Sequence, residues 1–222
     1  MKKIHNNLNI DNLMRTDWVN QFKPYQQKEI RDGYKKKLDI SWYAKKEFTW
    51  KQMRTIKWGL EQGLDVSIYA KPEFDECQME QIRLGLKANI DVSKYANSKF
   101  NASQMHEIKF GLEQGLDVSI YANPEFDSWQ MMCIARGLKL KYDVSVYAKP
   151  EFNYDQMDQI LKGIMYKVDV SKYAKKEFNW QQMENIREGL INKIDVSSYL
   201  NSELTWKEMK EIKDRLIEKS TL

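Results

Sequence analysis

The chain has 222 residues, 42% of them hydrophobic and 31% charged, and Lys+Arg 36 against Asp+Glu 32 leaves a net charge of +4. That balance falls short of the strongly basic surface of a dedicated nucleic-acid binder, and no stretch approaches a membrane span. Two cysteines, Cys77 and Cys133, without a CxxC or a His-rich neighbour, argue against a disulfide framework and against a zinc site.

The opening MKKIHNNLNIDNLM is basic but breaks into Asn and Asp where a signal peptide needs an apolar run, so a cytoplasmic location is expected. Residues 1–48 hold eleven basic and six acidic side chains, which puts +5 there and -1 in the rest. Within residues 1–22, Ile10, Leu13, Met14 and Trp18 offer a covering face, as expected of an N-terminal cap.

From residue 23 to 204 the chain repeats itself. GLEQGLDVSIYA stands at 59–70 and again, unchanged, at 111–122, and weaker copies recur every 26 residues. Seven units result, without one insertion. In the unit of residues 75–100, Asp75 and Gln78 form a capping box that starts a helix. Thr49, Asn101, Asp127, Asn153, Asn179 and Thr205 hold the same cap position, each followed three residues later by Gln or Glu. Met79, Ile82 and Leu86 then recur at the spacing of one buried helical face, over about 13 residues.

Asn89, in one column with Gly63 and Gly115, suits the left-handed residue that ends a helix, whereas units with Lys141, Lys167 or Lys193 there should end less sharply. Asp91 next caps a shorter element of about one and a half turns, with Val92, Tyr95 and Ala96 on one side. Gly85 lies inside the long helix at a cost of roughly 1 kcal/mol against Ala, and its column recurs from Gly33 to Gly189. A short helix or a tyrosine ring lying on bare backbone explains it. Residues 205–222 read as a capping helix, with Arg215 in the glycine column. The expected architecture is therefore one all-α domain over 1–222: an α-solenoid of seven 26-residue long-helix/short-helix repeats with caps at both ends.

Catalysis has no visible carrier. His5 and His106 lack a partnered nucleophile, no Gly-rich phosphate loop, HExxH or GxSxG occurs, and the recurring Asp and Ser of DVS are explained by capping. No enzyme activity, cofactor, metal or small-molecule substrate is expected. The variable columns carry more information. Trp58, Leu84 and Phe110 share a column that points away from the core, and Trp129 and Met132 could extend it into an apolar ridge for a protein partner. The competing reading has adjacent units partly covering this column. A second column, Arg31, Lys57, Arg83 and Lys109, is a candidate nucleic-acid stripe, interrupted at Ala135 and Leu161 and resumed at Arg187 and Lys213. Its alternative is aliphatic stems on the core edge with solvated heads.

The unit QMxxIxxGLxxxxDVSxYAxPEF resembles 26-residue helical repeats of proteins from low-GC bacteria and their mobile elements. The resemblance covers 22–204, with departures at Gln27, Tyr34, Leu200 and Leu204 in the end units. The repeat frame and its variable columns lead to the expectation of a non-catalytic scaffold binding another macromolecule, a protein first and nucleic acid as the alternative, and the resemblance implies an accessory or inhibitory role of a bacterium or mobile element. It brings no assigned activity.

Overall fold

The computed structural model describes residues 16–220, and among these the secondary structure is helical throughout. Contacts cluster in two compact units, Met1–Glu113 and Gln114–Leu222. The first holds a short α1 (Asp17–Asn20) and four long helices, α2 (Pro24–Lys35), α3 (Trp50–Glu61), α4 (Glu76–Lys87) and α5 (Ala102–Glu113). The second holds α6 (Ser128–Lys139), α7 (Tyr154–Met165), α8 (Trp180–Ile191) and α9 (Trp206–Ser220). In each unit every long helix packs on the next in sequence, the stacking of an α-solenoid. Of the N-terminal covering face, Ile10, Leu13 and Met14 lie outside the described residues. Trp18 meets Phe22 edge-on, 5.1 Å between centroids.

The helices start where capping chemistry demands. Asp75 accepts from the Gln78 backbone N–H at 2.8 Å while Gln78 Oε1 accepts from the Asp75 N–H at 2.8 Å. The same glutamine has a second task. Its Nε2 donates to the Phe100 carbonyl at 2.6 Å, tying the start of one long helix to the loop that feeds the next. Gln26 and Gln52 in the first unit, and Gln130, Gln156 and Gln182 in the second, do the same to residues 48, 74, 152, 178 and 204. Glu208 keeps the capping bond to Thr205 but has no amide to donate.

The core follows the columns. Met53, Met79, Met105, Met131, Met157, Met183 and Met209 are fully buried, and so are Ile56, Ile82, Ile108, Ile134, Ile160 and Ile186. The glycine column has the expected cause, with the tyrosine of the same repeat as the neighbour. A Cβ on Gly85 would stand 1.8 Å from Tyr95 Oη and 2.9 Å from Val92 Cγ1. The Tyr95 hydroxyl donates to the Gln81 carbonyl at 3.2 Å, one helical turn before that glycine. Bare backbone lets the ring lie flat enough to reach it.

Two expectations about the short segments are corrected. The element after Asp91 is a single 3-10 turn, Val92–Lys94, shorter than one and a half turns, because Asp91 accepts from both the Ser93 N–H and Oγ–H at 3.1 and 2.6 Å and tightens the chain there. The lysine units also end as sharply as the others. Lys141, Lys167 and Lys193 adopt φ of 61°, 57° and 58°, beside 68° at Gly63. The Tyr142 N–H reaches the Gly137 carbonyl at 3.0 Å, as the Ile90 N–H reaches Gly85 at 2.9 Å. The paired terminal hydrogen bonds outweigh the left-handed strain of a lysine.

Candidate protein-binding face

On α3, the residues facing the core are Met53 and Ile56, and helical geometry turns Arg54 and Trp58 to the opposite side. Trp58 is 37% exposed and Phe110, two helices on, is 46% exposed, with Leu84 half-buried between them. These three ridge residues therefore belong to one outward column of the first unit. His106 stacks on Phe110 at 6.4 Å between centroids.

The same face carries a group that the column reading missed. The Arg54 guanidinium lies over both the Trp50 and Trp58 rings, 4.9 Å from each centroid. Arg83 lies over Trp58 as well, at 5.9 Å, and Tyr25 stands 5.5 Å from Trp50. Arg54 Nε is buried without an acceptor. The signal was present in WKQMRTIKW, where Trp, Arg and Trp are spaced by four and share one helical face. Beside Trp50 a cleft of about 450 Å³ is lined by Tyr25, Lys23, Lys46, Glu47 and Lys51 among others.

Trp129 and Met132 lie on α6 in the second unit. Trp129 is 62% exposed and meets Tyr154 edge-on at 6.0 Å, while Met132 is half-buried. Nearby, Asp158 receives hydrogen bonds from both Arg136 and Lys162. Burial opposes its ionisation, yet those two cations hold its carboxyl below the ordinary aspartate range. Cys133 is buried, and burial pushes its thiol up to about 11.

The basic stripe is corrected in both of its readings. Lys57, Arg83 and Lys109 are 6%, 7% and 8% exposed, so their heads are neither solvated nor open to phosphates. Their column follows Ile56, Ile82 and Ile108 directly and falls into the seam between successive long helices. There Lys57 reaches back to Glu29 at 2.6 Å, Arg83 binds Glu80 at 2.6 Å and Gln62 at 2.9 Å, and Lys109 binds Glu113 at 3.1 Å. Hydrogen bonding to Glu80 holds the Arg83 guanidinium above its ordinary pKa. Arg187 repeats the arrangement in the second unit, donating to Gln159 at 3.0 Å. Of the four candidates Arg31 alone is exposed.

Comparison with family models, with curated proteins and with solved structures finds no match. Among the described residues no helix is long and apolar enough to cross a membrane, and no group of His, Cys, Asp and Glu has the arrangement to hold a metal ion.

Proposed function

We propose that this chain is a non-catalytic helical-repeat scaffold whose first unit binds a protein partner through the outward face of α3, α4 and α5. The observation that carries the reading is the exposure of large aromatic groups at positions that vary between repeats, Trp58 and Phe110, next to an arginine stacked on two indoles. The repeat frame uses neither: its own aromatic residues, the tyrosine column, are fully buried. Exposed Trp, Tyr and Arg gathered on one face are the residue types that dominate binding energy in protein interfaces. The resemblance of the repeat to those of low-GC bacteria and their mobile elements supports an accessory or inhibitory role in a bacterial cytoplasm.

Nucleic acid ranks second, because the cations that would follow a phosphate backbone are held in buried pairs. The test compares partners captured by the wild type with those captured by the combined Trp58→Ser, Leu84→Ser, Phe110→Ser variant. The variant should keep its helical circular dichroism and lose a partner that the wild type enriches. Retained capture places binding elsewhere; loss of helicity makes the ridge part of the core.

A further inference from the structure

We propose that the first unit docks an acidic segment of its protein partner, with a partner carboxylate seated on Arg54 between Trp50 and Trp58. This rests on the protein-binding reading above and names the chemistry of the partner.

Most cations near this arginine on the same helices are already satisfied. Lys51 pairs with Glu76 at 3.1 Å, Lys57 with Glu29, Arg83 with Glu80 and Lys109 with Glu113. Arg54 has no ion pair or hydrogen bond among the described residues, and its Nε is cut off from solvent without an acceptor. The Nε–H of that guanidinium has given up hydration and received only the two ring faces in return, 4.9 Å away on each, while the half-buried side chain leaves its outer edge open. Its outer edge is fixed in place by the rings, so a carboxylate meeting it pays little for ordering the side chain. The flanking indoles lower the local dielectric and strengthen that contact.

On the α2 side the surroundings share the sign, while on the α4 side Glu80, at the same position one repeat later, is taken up by Arg83. Lys28 occupies the position of Arg54 one repeat earlier, and Lys23 and Lys46 line the neighbouring cleft against the single carboxylate of Glu47 and the paired Glu76. None of these three lysines forms an ion pair among the described residues. Positive charge beside aromatic walls is complementary to a segment that mixes carboxylates with apolar side chains. A strand of bases fits less well. Single-stranded nucleic acid binds through open ring faces, whereas Trp50 already has Tyr25 and Arg54 as neighbours and Trp58 has Arg54 and Arg83.

The probes are a synthetic peptide of Glu-Ser-Leu repeats, its counterpart with Gln for Glu, and an oligothymidylate, each titrated into the full chain while indole N–H resonances are followed by NMR. The acidic peptide should shift the Trp50 and Trp58 signals and leave Trp180 unmoved, and the Gln peptide should shift neither. Arg54→Gln should weaken the acidic peptide by about tenfold or more, with Arg54→Lys recovering only part because it keeps the charge and loses the planar fork. Because Arg54 holds no hydrogen bond, Arg54→Gln should fold as the wild type does; the two peptides on wild-type protein test the idea even if it does not. Equal binding of both peptides, no shift at all, unchanged binding in Arg54→Gln, or tighter binding of oligothymidylate would each overturn the proposal. A partner lost by the Trp58, Leu84, Phe110 variant but kept by Arg54→Gln would sink the carboxylate contact and leave protein binding standing. A partner kept by both would sink the protein-binding reading itself.

Discussion

At the scale of single residues, the tightest constraint is a glycine facing a tyrosine. Gly85→Ala should gain about 1 kcal/mol of helix propensity, but the new methyl meets Tyr95 Oη and Val92 Cγ1 at 1.8 and 2.9 Å. The hydroxyl cannot swing aside freely: the ring is fully buried and its Oη is committed to the Gln81 carbonyl. A net loss of about 2 kcal/mol is expected in urea melts, with part of it recovered in a Tyr95→Phe background. A gain in stability would show that the ring is free to move. Lys141 offers the opposite case, a side chain at φ 61°. Lys141→Gly relieves about 1–2 kcal/mol of left-handed strain and loses about 0.5–1 kcal/mol to the freer unfolded chain, so its midpoint should rise slightly. A fall would mean that Lys141 contributes through its side chain.

At the scale of helices, the tether glutamine decides how one repeat meets the next. Gln78→Glu preserves the acceptor of the capping box but places a carboxylate oxygen against the Phe100 carbonyl, which then loses its donor. The expected cost is about 1–3 kcal/mol by chemical denaturation, whereas a mere capping role predicts almost none. This tether was legible in outline only. The sequence places Gln three residues after the cap in all seven repeats, from Gln26 to Gln182, and Glu only at 208, a choice that capping alone does not require, since both residues accept equally well. What the amide donates to lies 22 residues away, beyond any local spacing rule. The seam cations were misread for a related reason. Lys57 sits one position from Ile56, at the margin of the buried stripe, and only the packing of α2 against α3 shows that Glu29 waits there. Lys57→Ala should therefore cost about 3–5 kcal/mol by stranding a buried carboxylate, while replacing both partners with apolar residues should cost far less. Equal losses in the two variants would contradict the pairing.

At the scale of the whole molecule, seven buried tyrosines tie stability to high pH. Burial is the largest cause raising the pKa of Tyr43, Tyr69, Tyr95, Tyr147, Tyr173 and Tyr199 well above the ordinary value near 10. Between the unfolded and folded pKa the unfolded chain binds fewer protons, so stability falls as pH rises, by about 1.4 kcal/mol per pH unit for each such tyrosine. Thermal melts should hold steady up to about pH 9 and drop steeply above pH 10; a flat profile to higher pH would mean that the rings are reached by solvent. The all-helical class, the caps, the core columns and the role of the glycines were readable because each depends on contacts within one repeat. The face was read by half: Trp58, Leu84 and Phe110 stand out as unexplained apolar groups and the spacing of Trp50, Arg54 and Trp58 was legible though unread, whereas Arg83 reaches Trp58 from the next helix, beyond any local spacing rule.

Binding through that face is most directly tested by photo-crosslinking. A benzophenone side chain placed at 58, 84 or 110 should capture the protein partner in cells that contain it, and one placed at Ser93, in the exposed 3-10 turn, should not. Crosslinks from Ser93 with none from the three ridge positions would contradict the account.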